Sequence, residues 1–181
     1  NYHRAVGLFR RALVVEEAAL GPDHPSLAFA LTGLGDAEHR LGHDDEAVGL
    51  LQRAIALLER AHGPDFPDLG HPLNNLGIVY AAKDQHAEAA AAYRRAIAVW
   101  ERLGPDHPSL AVPLGNLGNA ELALAKRDPA TRSTRLEAAR SAYARALAID
   151  EATLGADSID LVDLLQGLGE VALEQRHRVG P

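Results

Sequence analysis

Residues 20–28 read LGPDHPSLA, and residues 103–111 read LGPDHPSLA again, letter for letter. The centre of this stretch, Gly21-Pro22-Asp23-His24-Pro25, returns as Gly63-Pro64-Asp65-Phe66-Pro67 and as Gly104-Pro105-Asp106-His107-Pro108, at steps of 42 and 41 residues. A weaker fourth copy is Gly155-Ala156-Asp157-Ser158-Ile159. Two more markers keep the same step. One is a Leu-Gly pair: Leu34-Gly35, Leu76-Gly77, Leu117-Gly118 and Leu168-Gly169. The other is Arg11-Ala12-Leu13, Arg53-Ala54-Ile55, Arg95-Ala96-Ile97 and Arg145-Ala146-Leu147. Three markers sharing one period identify an internal repeat, the signature of a stacked architecture.

Each unit reads as two helices. In the clearest copy Leu73, Leu76, Gly77 and Tyr80 fall at i, i+3, i+4 and i+7, one face of a helix. Lys83-Asp84-Gln85-His86 interrupts the apolar pattern, and Ala89, Tyr93, Ala96 and Ile97 resume it on a second helix. Gly104 suits the left-handed position after a helix, Pro105 cannot continue one, and Pro108 fits the first turn of the next. LGPDHPSLA thus ends one helical hairpin and starts another. His24 and His107 are expected to be structural, because Phe66 replaces them in the middle copy.

A glycine inside a helix costs on the order of 1 kcal/mol relative to alanine. Its return in four units predicts a close helix–helix approach, with Ala47, Ala89 or Ala139 on the second helix as the expected partner.

The bulk composition narrows the function classes. The chain has 181 residues, with 18 Lys plus Arg against 25 Asp plus Glu, a net charge of -7. That balance disfavours nucleic acid as a partner. There is no cysteine, which excludes disulfides and thiolate metal sites and fits a reducing, cytoplasmic setting. No apolar run approaches the roughly 20 residues a membrane helix needs, so no membrane partner is expected. The chain has no methionine and opens as if inside a helix, so it reads as a piece of a longer polypeptide.

On these residues the sequence resembles the tetratricopeptide repeat, whose pattern runs W-x2-L-G-x2-Y, then A-x3-F, then A. The best match is Leu73-x2-Leu76-Gly77-x2-Tyr80, Ala89-x3-Tyr93, Ala96. Two other units match through Leu31, Leu34, Gly35, Ala47, Leu51 and Ala54, and through Leu114, Leu117, Gly118, Ala139, Tyr143 and Ala146. The first unit contributes Ala5, Phe9 and Ala12, the last Leu165, Leu168 and Gly169. The long unit and the GPDHP link are similar to the kinesin-light-chain-like subclass, which is also common in large bacterial signalling proteins. The leading Trp position is Leu in every unit, and the final link lacks both prolines.

The resemblance implies an all-α, right-handed superhelical solenoid of antiparallel helix pairs. As a single solenoid over 1–181, it would comprise a second helix at 1–20, repeats at 25–62, 67–103 and 108–154, and a first helix at 157–176. It further implies a non-catalytic module that binds a protein or peptide in a concave groove lined by the first helices. Helical spacing around the Leu-Gly pairs selects Phe29, Thr32, Asp36 and His39; His71, Asn74, Asn75 and Ile78; Asn116 and Asn119; and Asp163, Gln166 and Glu170. Asparagine offers both a donor and an acceptor, so it can grip an extended peptide backbone. Family members that clamp a chaperone's C-terminal carboxylate use a dense Lys/Arg set, which this groove lacks. Acidic residues at both ends, with a few histidines and arginines between, instead suit a mixed or mildly basic ligand.

Other features are expected to be structural. The basic stretch at 125–135 reads as a solvated loop or extended hairpin tip, with recognition of an acidic partner or modification of Thr131, Ser133 or Thr134 as the alternatives. Trp100 is expected to pack. His43-Asp44-Asp45-Glu46 resembles a metal set in isolation but sits where acids suit a helix N-terminus. Glu16-Glu17 and Arg94-Arg95 read as solvated faces. No phosphate loop, nucleophile elbow or zinc helix motif occurs, so no catalysis and no cofactor are expected. A competing reading is self-assembly through open solenoid ends, with Phe9, Leu13 and Leu165 as the exposed apolar suspects, or docking against further repeats or domains of a parent chain. The resemblance also implies a regulatory repeat region of a larger protein, such as a bacterial Ser/Thr kinase or a nucleotide-binding switch protein.

Overall fold

The computed structural model describes residues 1–176. Among them lie eight α-helices and no strand: α1 (Tyr2–Leu20), α2 (Leu27–His39), α3 (Asp44–His62), α4 (Gly70–Ala82), α5 (His86–Trp100), α6 (Ala111–Arg127), α7 (Arg132–Leu154) and α8 (Val162–Arg176). Contacts divide the chain into two compact units, Asn1–Gln85 with α1 to α4 and the remainder from His86 with α5 to α8. In the first unit each helix packs on the next, and α2 also touches α4. In the second unit α5 to α8 repeat that arrangement, with α6 touching α8. Links of a few residues force neighbouring helices to reverse direction.

The glycine of each GPDHP link has a sharper role than ending a helix. Gly21 and Gly63 sit at φ 88° and 87° with ψ 161° and 170°. Instead of the left-handed helical position expected from the sequence, this is the extended positive-φ region open essentially to glycine alone. The N–H of Gly21 still bonds the Glu17 carbonyl at 2.9 Å, so the last turn is closed while the chain leaves it extended. The second proline opens a 3-10 turn, Pro67–Leu69 in one link and Pro108–Leu110 in another, before α4 and α6 begin. Pro72 and Pro113 then fall in the first α-helical turn, where a missing N–H is harmless.

The histidines of the link brace it. The Ser26 N–H donates to His24 Nδ1 at 3.2 Å, and the Ser109 N–H to His107 Nδ1 at 3.3 Å. Phe66, in the same place, stacks on His62 with ring centroids 4.2 Å apart.

The helix glycines make room chiefly for large side chains; the alanine expected from the sequence does approach at Gly35, where the Ala47 carbonyl oxygen would lie 3.4 Å from an added Cβ. A Cβ on Gly35 would meet Leu51 Cγ at 2.8 Å, and one on Gly118 would meet the Tyr143 ring at 2.6 Å. Leu51 and Tyr143 stand four residues after Ala47 and Ala139, so the bulky residue of A-x3-F enters the slot. A second set of glycines receives the same bulky position from the preceding hairpin: a Cβ on Gly33 would run into the Phe9 ring, and one on Gly167 would meet the Tyr143 ring at 2.5 Å. Tyr143 is thereby wedged between α6 and α8, and its hydroxyl donates to Asn119 Oδ1 at 2.6 Å. Burial pushes the Tyr143 phenol up to about 12 and raises that of Tyr93 as well.

Two groups read as solvated faces also make structural ion pairs. Arg53 donates to Glu17 at 2.6 Å and to the Pro22 carbonyl at 2.9 Å, tying α3 to the end of α1 and to its link. Arg145 does the same with Glu101 and the Pro105 carbonyl. Arg94, also read as solvated, pairs with Glu121, a carboxylate only 1% exposed. In two copies of the Arg-Ala marker, Arg53 and Arg145, the arginine is therefore a clamp on the link of the preceding hairpin.

The basic insertion is a hairpin extension. α6 has 17 residues against 13 in α2, and α7 has 23 against 19 in α3, about one extra turn on each. Asp128 caps the bend by accepting from the Ala130 N–H at 2.9 Å and the Thr131 hydroxyl at 2.7 Å, and these bonds hold its carboxyl below the usual range. Its cations pair within the hairpin and with α8: Arg135 with Glu121 at 2.9 Å, Arg132 with Glu174 and Lys126 with Glu170.

The apolar end residues also differ from expectation. Leu13 is buried and Phe9 packs on Gly33, while Leu8, Val14 and Val15 form the exposed apolar positions of α1. On α8, Leu165 is exposed as expected, together with Leu173. Trp100 is buried.

Candidate functional site

α2 and α4 of the first unit stand side by side, and the end of α3 with its link runs beneath them. Between these elements lies a cleft of about 650 Å³. Phe29, Thr32, Gly33 and Asp36 line it from α2; His71, Pro72 and Asn75 line it from α4. Leu58 and His62 come from α3, Phe66 and Asp68 from the link region, and Pro25, Ser26 and Ala28 from the start of α2.

The helical period explains this convergence. Phe29, Thr32 and Asp36 stand at i, i+3 and i+7 on the face of α2 opposite its buried leucines, and His71 and Asn75 at i and i+4 on α4. The chemistry of the wall is mixed. Phe29 leaves 83% of its surface in solvent, an unusual position for an aromatic ring. The Thr32 hydroxyl is turned inward to the Ala28 carbonyl at 2.7 Å. Asp36 receives one long contact, 3.5 Å from Arg40. Among the described residues the Asn75 amide has no hydrogen-bond partner, although it is half-buried. A half-buried amide with unused donors and acceptor can take up a peptide group.

Five residues selected from the sequence therefore line one cleft: Phe29, Thr32, Asp36, His71 and Asn75. Others lie elsewhere. Asn74 is buried. His39 bonds Asp44 through Nδ1 at 2.7 Å at the start of α3. Ile78 is half-buried on α4, outside the cleft lining. In the second unit Asn116 is half-buried, Asn119 accepts from Tyr143, and Glu170 pairs with Lys126. Asp163 and Gln166 are exposed on α8. The sequence reading missed the lower wall, Leu58, His62, Phe66 and Asp68. The signal was available, since Phe66 is the one aromatic at the link position that elsewhere holds histidine or serine.

Comparison with known proteins fits the repeat. The tetratricopeptide repeat family model matches residues 1–60 and 68–133. The chain belongs to the tetratricopeptide repeat family. Its fold is all-α and similar to that of kinesin-light-chain-like repeat proteins. The crystal structure of a Podosopora anserina putative kinesin light chain with nearly identical TPR-like repeats is 21% identical, covering 98% of this chain and 80% of that one, with a TM-score of 0.75. The structure of BtubC (BKLC) from P. vanneervenii is also 21% identical, covering 97% of this chain and 66% of that one, at 0.79. The Sgt2 TPR domain from Aspergillus fumigatus is 20% identical, covering 85% and 84%, at 0.59. Among curated proteins none matches.

The tetratricopeptide Tyr position carries a further surprise. In the first and third Leu-Gly copies it holds Glu38 and Glu121, each about 1% exposed. Arg10 donates to Glu38 at 2.7 Å, and Arg94 pairs with Glu121. In the middle copy, Gln52 donates to the Tyr80 hydroxyl at 3.2 Å. In each of these three copies one partner lies just before the Arg-Ala marker of the preceding hairpin. The last step has Ala144 and Ala172 at these places, so the polar pair is dropped there altogether.

One cluster among the described residues has metal-ligand chemistry: Glu38, His43 and Glu46, with ligand atoms within 4.8 Å of one another. A single Arg10 nitrogen reaches both glutamates, at 2.7 and 3.0 Å, and His43 Nδ1 lies 2.7 Å from Glu38. The guanidinium thus supplies the positive charge between these carboxylates. Asp44, Asp45 and Glu46 also fill the first turn of α3, where acids favour the helix N-terminus. Among the described residues, no helix is long and apolar enough to cross a membrane.

Proposed function

We propose that this repeat segment is a non-catalytic binding module that holds an extended segment of a protein partner in the α2–α4 cleft of the first unit. The observation that carries the reading is the meeting of Phe29, Asp36, His71 and Asn75 around one opening, with the Asn75 amide unused by the protein itself. The repeat family generally mediates protein–protein contacts, and one structural neighbour is a TPR domain of Sgt2. Phe29 supplies apolar area and Asn75 supplies backbone recognition, a division common to peptide sites. A pull-down with the wild-type chain and with the Phe29→Ala/Asn75→Ala variant tests it. Partners lost from the variant support the cleft; the same partners recovered at equal strength refute it.

A second reading is docking of another helix or a second copy on the exposed apolar positions of α8. Leu165 stands at the repeat position of Leu31, Leu73 and Leu114, all buried, yet is 51% exposed itself. Light scattering over a concentration series tests self-association, and a monomer at all concentrations argues against it.

A further inference from the structure

We infer that the segment recognised by the α2–α4 cleft carries a lysine or arginine beside a large apolar or aromatic side chain; this rests on the cleft reading above. The carboxylates of the cleft lining outnumber its fixed cations. Asp36 projects from α2 and Asp68 from the link, while no lysine or arginine lines the cleft. Asp68 is exposed and has no ion-pair partner among the described residues. The Asp36 contact to Arg40 is 3.5 Å long with both side chains about half exposed, so an incoming cation can replace it. An acidic segment would set like charges against both carboxylates.

The apolar part of the wall completes the match. Leu58 and Pro72 offer a floor for an aliphatic or aromatic side chain. The exposed Phe29 ring adds aromatic surface for that side chain, while Asp36, about two turns further along α2, faces the neighbouring cation. Phe66 is held by its stack on His62 and forms a fixed edge. A cation and an apolar anchor in adjacent positions use both kinds of surface at once, and the Asn75 amide remains for the backbone between them.

The test is a selection from a random displayed-peptide library on the full chain, with counter-selection on the Phe29→Ala/Asn75→Ala variant. Circular dichroism of both proteins checks that folding is equal. Recovered peptides should be enriched in Lys or Arg next to Phe, Trp, Leu or Met. A fluorescein-labelled copy of the strongest peptide should bind roughly three- to tenfold more weakly to Asp36→Asn/Asp68→Asn, from the loss of two exposed charge pairs, and its Glu-substituted copy should bind more weakly still. Cleft-dependent peptides that are neutral or acidic would overturn the inference and leave the binding cleft standing. An unchanged affinity in the double Asn variant would also overturn it. If no recovered peptide depends on Phe29 and Asn75, the cleft reading itself falls and the inference falls with it.

Discussion

The Tyr143 ring fills the space above Gly118 so fully that a Cβ added there would come within 2.6 Å of it. The same ring stands 2.5 Å from the Cβ position of Gly167, so one side chain joins the helices of two successive hairpins. Gly118→Ala is therefore expected to destabilise the chain by about 1–3 kcal/mol through overpacking. Gly169 belongs to the same Leu-Gly series but has nothing within 4 Å. Gly169→Ala should raise stability by up to about 1 kcal/mol through helix propensity alone. Thermal unfolding of the pair checks the contrast, and equal effects would mean that the slot is not what the glycine serves.

Gly21 tests the link. Its φ of 88° with ψ of 161° is a conformation that side chains avoid. Gly21→Ala should cost about 1–3 kcal/mol even though a Cβ would meet no neighbouring atom. Chemical denaturation reads this directly, and a neutral result would place the constraint elsewhere.

Much of the repeat was legible in the sequence because spacing survives without knowledge of partners. Leu-Gly, GPDHP and Arg-Ala mark the period, and helical geometry then brings Phe29, Asp36, His71 and Asn75 to one opening. What spacing could not show is which atom meets which. Small residues permit close approach, which pointed to alanines; Ala47 does come close to Gly35, but Leu51 and Tyr143 fill most of the space. Glu38 and Glu121 were invisible for a related reason: a glutamate on a helix reads as solvated until the arginine that buries it, 28 or 27 residues earlier, is found. The lower cleft wall needed the path of the link, which puts Phe66 against His62.

The buried carboxylates give a graded prediction. Glu121 is held by Arg94 and Arg135, so removing both arginines strands a charge in the interior. Arg94→Ala/Arg135→Ala should destabilise by about 3–5 kcal/mol, whereas adding Glu121→Leu to that variant should recover a large part of the loss. A triple variant no more stable than the double would show that the carboxylate itself is not the source of the cost.

Alkaline pH probes the wedge. The Tyr143 phenol is neutral when buried, with its ionisation raised from 10.0 to about 12. A group whose folded value is raised contributes stability that is present in full below its unfolded value. Stability should therefore begin to fall above pH 10 and be lost progressively up to about pH 12, the buried Tyr93 adding to the same slope. Phenolate absorbance followed beside circular dichroism checks this. Ionisation of all four tyrosines near pH 10 with helicity intact would contradict the burial.

Nuclear magnetic resonance of the isotope-labelled chain, titrated with the strongest peptide from the library selection, locates the binding surface residue by residue. Amide shifts should concentrate at Phe29, Thr32, Asp36, His71 and Asn75, and Phe29→Ala should abolish them while leaving the rest of the spectrum in place. Shifts gathered instead on the exposed apolar positions of α8, around Leu165 and Leu173, would contradict binding in the cleft.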